Sequence, residues 1–170
     1  MFSQRMLFLY GFVLCAALIA VALYFQYAMQ LEPCPLCIIQ RVFVLGLGAV
    51  MLVGALHDPH AWGRRVYGGL ITLLAALGVA VAGRHLWLQN LPADQVPLCG
   101  PGLEYMLEKY PLGRALELVL KGSGECAEVQ WTFLGLSIPG WTLVVFCALL
   151  AYGPYLALRR RRPSAEPDAS

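Results

Sequence analysis

Residues 6–29 read MLFLYGFVLCAALIAVALYFQYAM, with Gln26 as the one strongly polar side chain. A helix that crosses a hydrocarbon core of about 30 Å needs roughly 20 apolar residues, and this run supplies them. It is longer than the roughly 7–15 apolar residues of a secretory leader, and no small-residue cleavage site follows it. A retained span is therefore expected. Lipid offers no water to the backbone, so the run must satisfy its own N–H and C=O groups as a helix.

Three further runs follow the same rule, from about Cys37 to Leu56, from Val66 to Gly83 and from about Pro139 to Leu158. The second carries Gln40 and Arg41 in its first turn and has only 15 apolar residues after Arg41. It crosses only if Arg41 sits near the interface, where a long side chain can snorkel. Of the 170 residues, 59% are hydrophobic and 13% charged, against roughly 45–50% and about 25% in soluble domains. That excludes a disordered chain, a soluble enzyme and a fibre. A net charge of +2 without a basic stripe excludes a nucleic-acid binder. The expectation is an all-α integral membrane protein, a four-transmembrane-helix bundle over residues 1–158, with spans at 6–29, 37–56, 66–83 and 139–158.

Lys and Arg set the orientation. Arg5, Arg64, Arg65 and Arg159 to Arg162 fall on one side. Arg84, Lys109, Arg114 and Lys121 are spread thinly through a long loop, 84–137, on the other. Both termini are then cytoplasmic, with residues 159–170 as a basic tail, and the long loop faces outward. Within that loop Leu112, Ala115, Leu116, Val119 and Leu120 follow helical spacing, with Arg114, Glu117 and Lys121 opposite. This predicts a short amphipathic helix lying on the bilayer surface. Trp131, Phe133 and Trp141 bracket the fourth span as interfacial aromatics do.

Six cysteines punctuate this plan. Cys15 and Cys147 lie inside spans, where a cysteine is usually a small hydrophobe. Cys34, Cys37, Cys99 and Cys126 all fall on the outward side, where a cell exterior or bacterial periplasm permits disulfides. Cys34-Pro35-Leu36-Cys37 is a C-x-x-C pair, a pattern used for redox chemistry or for metal. It sits at the mouth of the second span, where unpaired N–H groups and the helix dipole favour thiolate. Arg41, one turn after Cys37, shares its face; it either supports that thiolate or snorkels at the interface. Cys99 and Cys126 lie in the loop, 27 positions apart. Bridged, they are either a staple worth about 3–4 kcal/mol or a disulfide open to attack. Gly and Pro flank both, which predicts exposed, mobile sites outside regular structure.

Two outward pairs suggest a two-electron relay by thiol–disulfide exchange. The sequence has no dinucleotide fingerprint and no haem motif, and a lipid-soluble quinone beside Cys37 would serve as acceptor. No resident metal is expected.

The chain resembles the disulfide bond formation protein B (DsbB) family along nearly its whole length. The resemblance rests on Cys34-Pro35-Leu36-Cys37 with Gln40-Arg41, on Pro97-Leu98-Cys99, and on Gly124-Glu125-Cys126-Ala127. Trp131-Thr132-Phe133-Leu134-Gly135 and Pro139-Gly140-Trp141 complete it. It implies an inner-membrane protein-dithiol:quinone oxidoreductase that reoxidises a periplasmic DsbA-like thiol oxidase. The partner's dithiol would attack a Cys99–Cys126 disulfide through Cys99, electrons would pass to Cys34–Cys37, and Cys126 would meet Cys34 in transfer. Cys37 would face ubiquinone or menaquinone, with Arg41 holding it. His85, just outside the third span, is a subsidiary candidate for the quinone site. A DsbA-like partner lies near −120 mV, and structural disulfides below about −300 mV. Cysteine pairs that accept electrons from it therefore need strain or stabilised thiolates. The alternatives are a vitamin K epoxide reductase-like quinone reductase, a non-enzymatic tetraspan protein with structural disulfides, and a four-cysteine zinc site.

Overall fold

The computed structural model describes residues 4–92, 94–96, 105, 108–122 and 124–159. Four long helices are apolar enough to cross a membrane: α1 (Gln4–Tyr27), α2 (Pro35–His57), α3 (Ala61–Gln89) and α6 (Ile138–Leu158). Between α3 and α6 lie α4 (Leu112–Lys121), the single turn α5 (Gly124–Ala127), and a tight antiparallel hairpin of β1 (Thr132–Phe133) and β2 (Leu136–Ser137). In the apolar window of each long helix only 17% to 33% of residues are buried. Many large apolar side chains on them, among them Val42, Leu73 and Tyr24, face outward. Water would not tolerate so much exposed hydrocarbon, whereas lipid does. The protein is a four-helix membrane bundle.

Helix α3 packs most extensively on α6, α1 packs on α2, and α2 joins the two pairs through α3. The core holds Phe8 and Cys15 of α1, Leu47 and Met51 of α2, Ile71 and Ala75 of α3, and Phe146 and Leu149 of α6. Without a hydrophobic drive between helices in lipid, close backbone approach provides the packing, and small residues permit it. Gly68 lies against Gly153, and a Cβ there would stand 2.7 Å from the Gly153 carbonyl oxygen. Gly78 leaves room for the Phe146 ring.

The helices extend beyond several of the expected bounds, and two of these extensions shape the cysteine end of the bundle. Helix α2 begins at Pro35, whose fixed φ and missing N–H suit the first helical position, so Cys34 is the N-cap and Cys37 falls in the first turn. Helix α3 runs to Gln89, well beyond Gly83. Arg84 and His85 look like an end by polarity, yet both are satisfied without leaving the helix. The Arg84 guanidinium lies 4.2 Å from the Trp87 ring centroid. It also donates to the Lys121 carbonyl at 3.0 Å and the Leu120 carbonyl at 3.4 Å, binding the carbonyl end of α4.

Helix α4 carries its charged face outward. Arg114 pairs with Glu117 at 2.7 Å, and this hydrogen bond, with Lys121 nearby, holds the Glu117 carboxyl below the usual carboxylate range. The helix does not simply float on a bilayer surface. Val119 is buried and Leu118 packs with it against the bundle, while Leu120 stays exposed. The side chains of Leu112, Ala115 and Leu116 lie outside the described residues.

Gly68→Ala should cost about 1–3 kcal/mol, because the obstacle is backbone that cannot yield. Gly69→Ala has nothing within 4 Å and should be neutral or gain up to about 1 kcal/mol of helix propensity. Unfolding of the purified protein in mixed micelles by SDS titration compares the two.

Candidate functional site

The first turn of α2 and the last turns of α3 build the site. Cys37, three residues after the N-cap, occupies the position from which a side chain can reach back to the N-cap residue. From α3, His85 inserts beside both cysteines: Nε2 lies 3.7 Å from the Cys34 sulfur and Nδ1 4.0 Å from the Cys37 sulfur. Gln40, one turn below Cys37, places its amide 3.1 Å from His85 Nδ1. Relative exposure is 7% for Cys34, 2% for His85 and 3% for Gln40, so this contact is largely enclosed. His85 lies within α3 and is buried, not left as an exposed boundary residue.

Cys37 stands between two spaces of opposite character. On one side is a small pocket of about 30 Å³ bordered by Cys34, Cys37, His85, Gln89, Glu125 and Glu128. On the other is an apolar cavity of about 360 Å³. Leu18, Ala22 and Phe25 of α1, Val44 of α2, and Trp141 and Phe146 of α6 line it, with Gln40 and Arg41 as its polar groups beside Cys37. Helices α1 and α6 are joined at the far end, where Tyr152 Oη donates to the Leu7 carbonyl at 3.0 Å. At the cysteine end the cavity separates them.

Arg41 reaches across the cavity wall to α1. It donates to Gln26 Oε1 and, at 3.1 Å, to the Ala22 carbonyl oxygen. A row of aromatic rings closes the rim. Phe25 and Trp131 lie 5.0 Å apart, Trp131 stacks on Phe133 at 5.9 Å, and Phe133 meets Trp141 at 6.2 Å. Trp141 Nε1 donates to the Phe133 carbonyl at 3.1 Å, and Ser137 Oγ donates to Gln89 Oε1 at 2.7 Å, tying α6 to α3.

Cys126 is neither exposed nor outside regular structure, contrary to its glycine-rich flanks. It lies in α5 with 0% exposure, packed in one cluster with Cys34, Leu36, Val81, Leu88 and Val119. The glycines turn the chain inward rather than freeing it. Gly122 has φ +82° and lies against Leu88, where a Cβ would collide. Cys99 lies outside the described residues. Cys15 is buried in the core and Cys147 is exposed on α6, both remote from this cluster's membership. Gln40, Gln26, Glu125 and Glu128 were not identified as site residues from sequence. Gln26 and Gln40 did carry a signal, being strongly polar side chains within apolar spans.

Four lipid-spanning helices that gather two thiols and an imidazole at one end, with a third cysteine packed beside them, define a membrane thiol–disulfide protein. The family model for Disulfide bond formation protein DsbB matches residues 4–156. Disulfide bond formation protein B of Nitrosococcus oceani is 60% identical over 147 residues, 86% of this chain and 87% of that protein. The protein of the same name from Marinobacter nauticus is 54% identical over 161 residues, 95% of this chain and 96% of that one. That from Saccharophagus degradans is 52% identical over 158 residues, 93% and 95% of the two chains. The chain belongs to the DsbB family. It is a membrane disulfide bond formation protein, a disulfide-forming oxidoreductase by class. The match favours neither a vitamin K epoxide reductase-like protein nor a non-enzymatic tetraspan scaffold.

Gly122→Ala should displace α5, since a positive φ of this kind costs a non-glycine residue about 1–3 kcal/mol. After reduction, Cys126 should then react several-fold faster with a water-soluble maleimide, whereas Gly113→Ala, in open space, should leave the rate unchanged. Mass-spectrometric quantification of the Cys126 peptide measures both.

Proposed function

We propose that the protein takes two electrons from the dithiol of a periplasmic DsbA-like oxidase and passes them through Cys99–Cys126 and Cys34–Cys37 to a membrane quinone. The observation that carries this reading is the position of Cys37, whose sulfur borders both the buried Cys34–His85 contact and the apolar cavity. On this reading the cysteine end faces the periplasm of a bacterial inner membrane and both termini face the cytoplasm. The domain division, residues 1–158 as bundle and 159–170 as basic tail, belongs to the same proposal.

The exchange steps balance as follows. A partner thiolate attacks Cys99 and forms a mixed disulfide, releasing Cys126 as thiolate. The partner's second thiol resolves that bond, leaving the partner oxidised. Cys126 attacks Cys34, and Cys37 departs as thiolate. The buried cluster shared by Cys126 and Cys34 supports that exchange. Cys99 then closes on Cys126, which restores the loop disulfide and leaves Cys34 and Cys37 holding the electron pair.

The cavity residues fit a quinone. Ligand sites of this kind are clefts of roughly 300–1,000 Å³, mostly apolar, with a few placed polar groups. Arg41 and Gln40 are the ones next to Cys37, which supplies the sulfur beside them, and Glu32, Gln130 and Thr142 also line the cavity. A bound quinone supplies a two-electron, two-proton sink. Arg41, fixed by Gln26 and Ala22, orients a carbonyl oxygen and favours the Cys37 thiolate by its charge. His85, in contact with both sulfurs, acts on the thiols rather than on the quinone directly.

Quinone-dependent oxidation of a reduced DsbA-like protein by the purified protein tests this, repeated with each of Cys34, Cys37, Cys99 and Cys126 replaced by Ser. Each replacement should lower turnover at least about 100-fold, as loss of a nucleophile does. The double variant Cys15→Ala/Cys147→Ala should keep it. Arg41→Met should raise the apparent quinone KM about 10-fold or more, the loss of one charge-assisted contact, while the mixed disulfide with the partner still forms. Full turnover in Cys34→Ser would overturn the relay.

A further inference from the structure

We propose that the dithiol form of the Cys34–Cys37 pair, together with His85, is a binding site for a thiophilic divalent cation, Zn²⁺, and that the bound ion holds the pair reduced. Among the described residues, these three bring one sulfur or ring-nitrogen donor each to within 4.8 Å of one another. The two cysteine sulfurs are not bridged to one another. Tetrahedral zinc has Zn–S bonds near 2.3 Å and Zn–N bonds near 2.0–2.1 Å, which sets neighbouring sulfur and nitrogen ligands about 3.6 Å apart. The Cys34 sulfur stands 3.7 Å from His85 Nε2. The Cys37 sulfur faces the other ring nitrogen, Nδ1, at 4.0 Å and has to turn toward Nε2; with one donor of each residue within 4.8 Å of the others, that is a shift of side chains.

The surroundings suit an ion as well as the donors do. The small pocket of about 30 Å³ borders all three ligands, and a water needs roughly 10–15 Å³ of such space. A water can thus complete the tetrahedron. Glu125 and Glu128 line the same pocket and supply negative charge beside the cation. With Nε2 on the metal, the His85 proton sits on Nδ1. Gln40, 3.1 Å away, accepts it once its amide is turned to present oxygen, an orientation that the hydrogen-bond network decides. This is the outer-shell partner that metal-bound histidines ordinarily have.

No electrons move on binding. The ion displaces two thiol protons, which pass to solvent, and forms two Zn–S bonds. A Cys34–Cys37 disulfide has no thiolate to offer, so the site exists only in the reduced protein. While occupied, neither sulfur can re-form the disulfide. The inference needs only two thiols and an imidazole, and it does not rest on the quinone reading.

Co²⁺ serves as the probe, because tetrahedral sulfur ligation gives it a sulfur-to-metal charge-transfer band and intense visible bands. The full chain in detergent micelles, reduced and freed of reductant under argon, should bind one Co²⁺ with both signatures, and Zn²⁺ should abolish them. The oxidised protein should show neither. Cys34→Ser and Cys37→Ser, nearly isosteric changes, should each lose the charge-transfer intensity. Gln40→Leu should weaken binding about 10–100-fold, and Cys15→Ala/Cys147→Ala should not alter it. Equal binding by oxidised protein, unchanged spectra in either Ser variant, or no band in the reduced protein would each overturn the site. Zn²⁺ should also stop turnover, with recovery on adding EDTA. Co²⁺ binding in a protein without quinone turnover would leave this site standing and remove only the relay.

Discussion

The contact of His85 with the two cysteines of the α2 N-terminus is the constraint around which the rest of the bundle is arranged. A buried polar group costs free energy unless it is hydrogen-bonded, and the cost is greatest where lipid replaces water. The imidazole, the Gln40 amide and two sulfurs satisfy one another in a largely enclosed space. For that to happen α3 must continue past its apolar run, and α2 must begin at Pro35 so that both sulfurs flank its first turn. The packing of α2 on α3 through Leu36, Val81 and Leu88 holds this register.

That arrangement gives Cys34 and Cys37 unequal surroundings although they are one turn apart. Cys34, as the N-cap, is enclosed by Leu36, Leu88 and Cys126. Cys37 looks into the apolar cavity on one side and the small polar pocket on the other. A C-x-x-C pair on a surface loop could not be divided in this way. The division comes from placing the pair at the level where protein, lipid and the loop segment meet. Cys126 joins the cluster that encloses Cys34 and against which Cys37 packs, because Gly122 turns the chain inward and Arg84 grips the carbonyl end of α4.

The four spans were legible because length and apolarity are local properties, and the bilayer imposes both. The C-x-x-C pair and Arg41 were legible because spacing on one helix fixes their common face. The other features depend on contacts between distant segments. Arg84 and His85 read as a helix end by polarity, but their partners are the α4 carbonyls and the α2 thiols. The glycines around Cys126 read as mobility, but Leu88 makes Gly122 a turn into the core. Gln26 was visible as an oddity in α1, yet its partner lies 15 positions away on another helix. Periodicity cannot pair them.

Arg41 shows how a costly residue can specify an arrangement. After it only 15 apolar residues remain in the second run, about 22 Å of helix at 1.5 Å per residue, short of a core of about 30 Å. Arg41 therefore stands at or inside the hydrocarbon edge, where a guanidinium is expensive. A snorkelling side chain would turn outward to headgroups. Arg41 instead turns inward and donates to Gln26 and to the Ala22 carbonyl. Those bonds offset the desolvation of its charge and fix α1 against α2 at the cavity wall. The same side chain thus sets the spacing of two helices and keeps one cation beside Cys37 in a mostly apolar chamber. A lysine could not make both bonds with a single planar fork, and an apolar residue would pack the helices without charging the cavity.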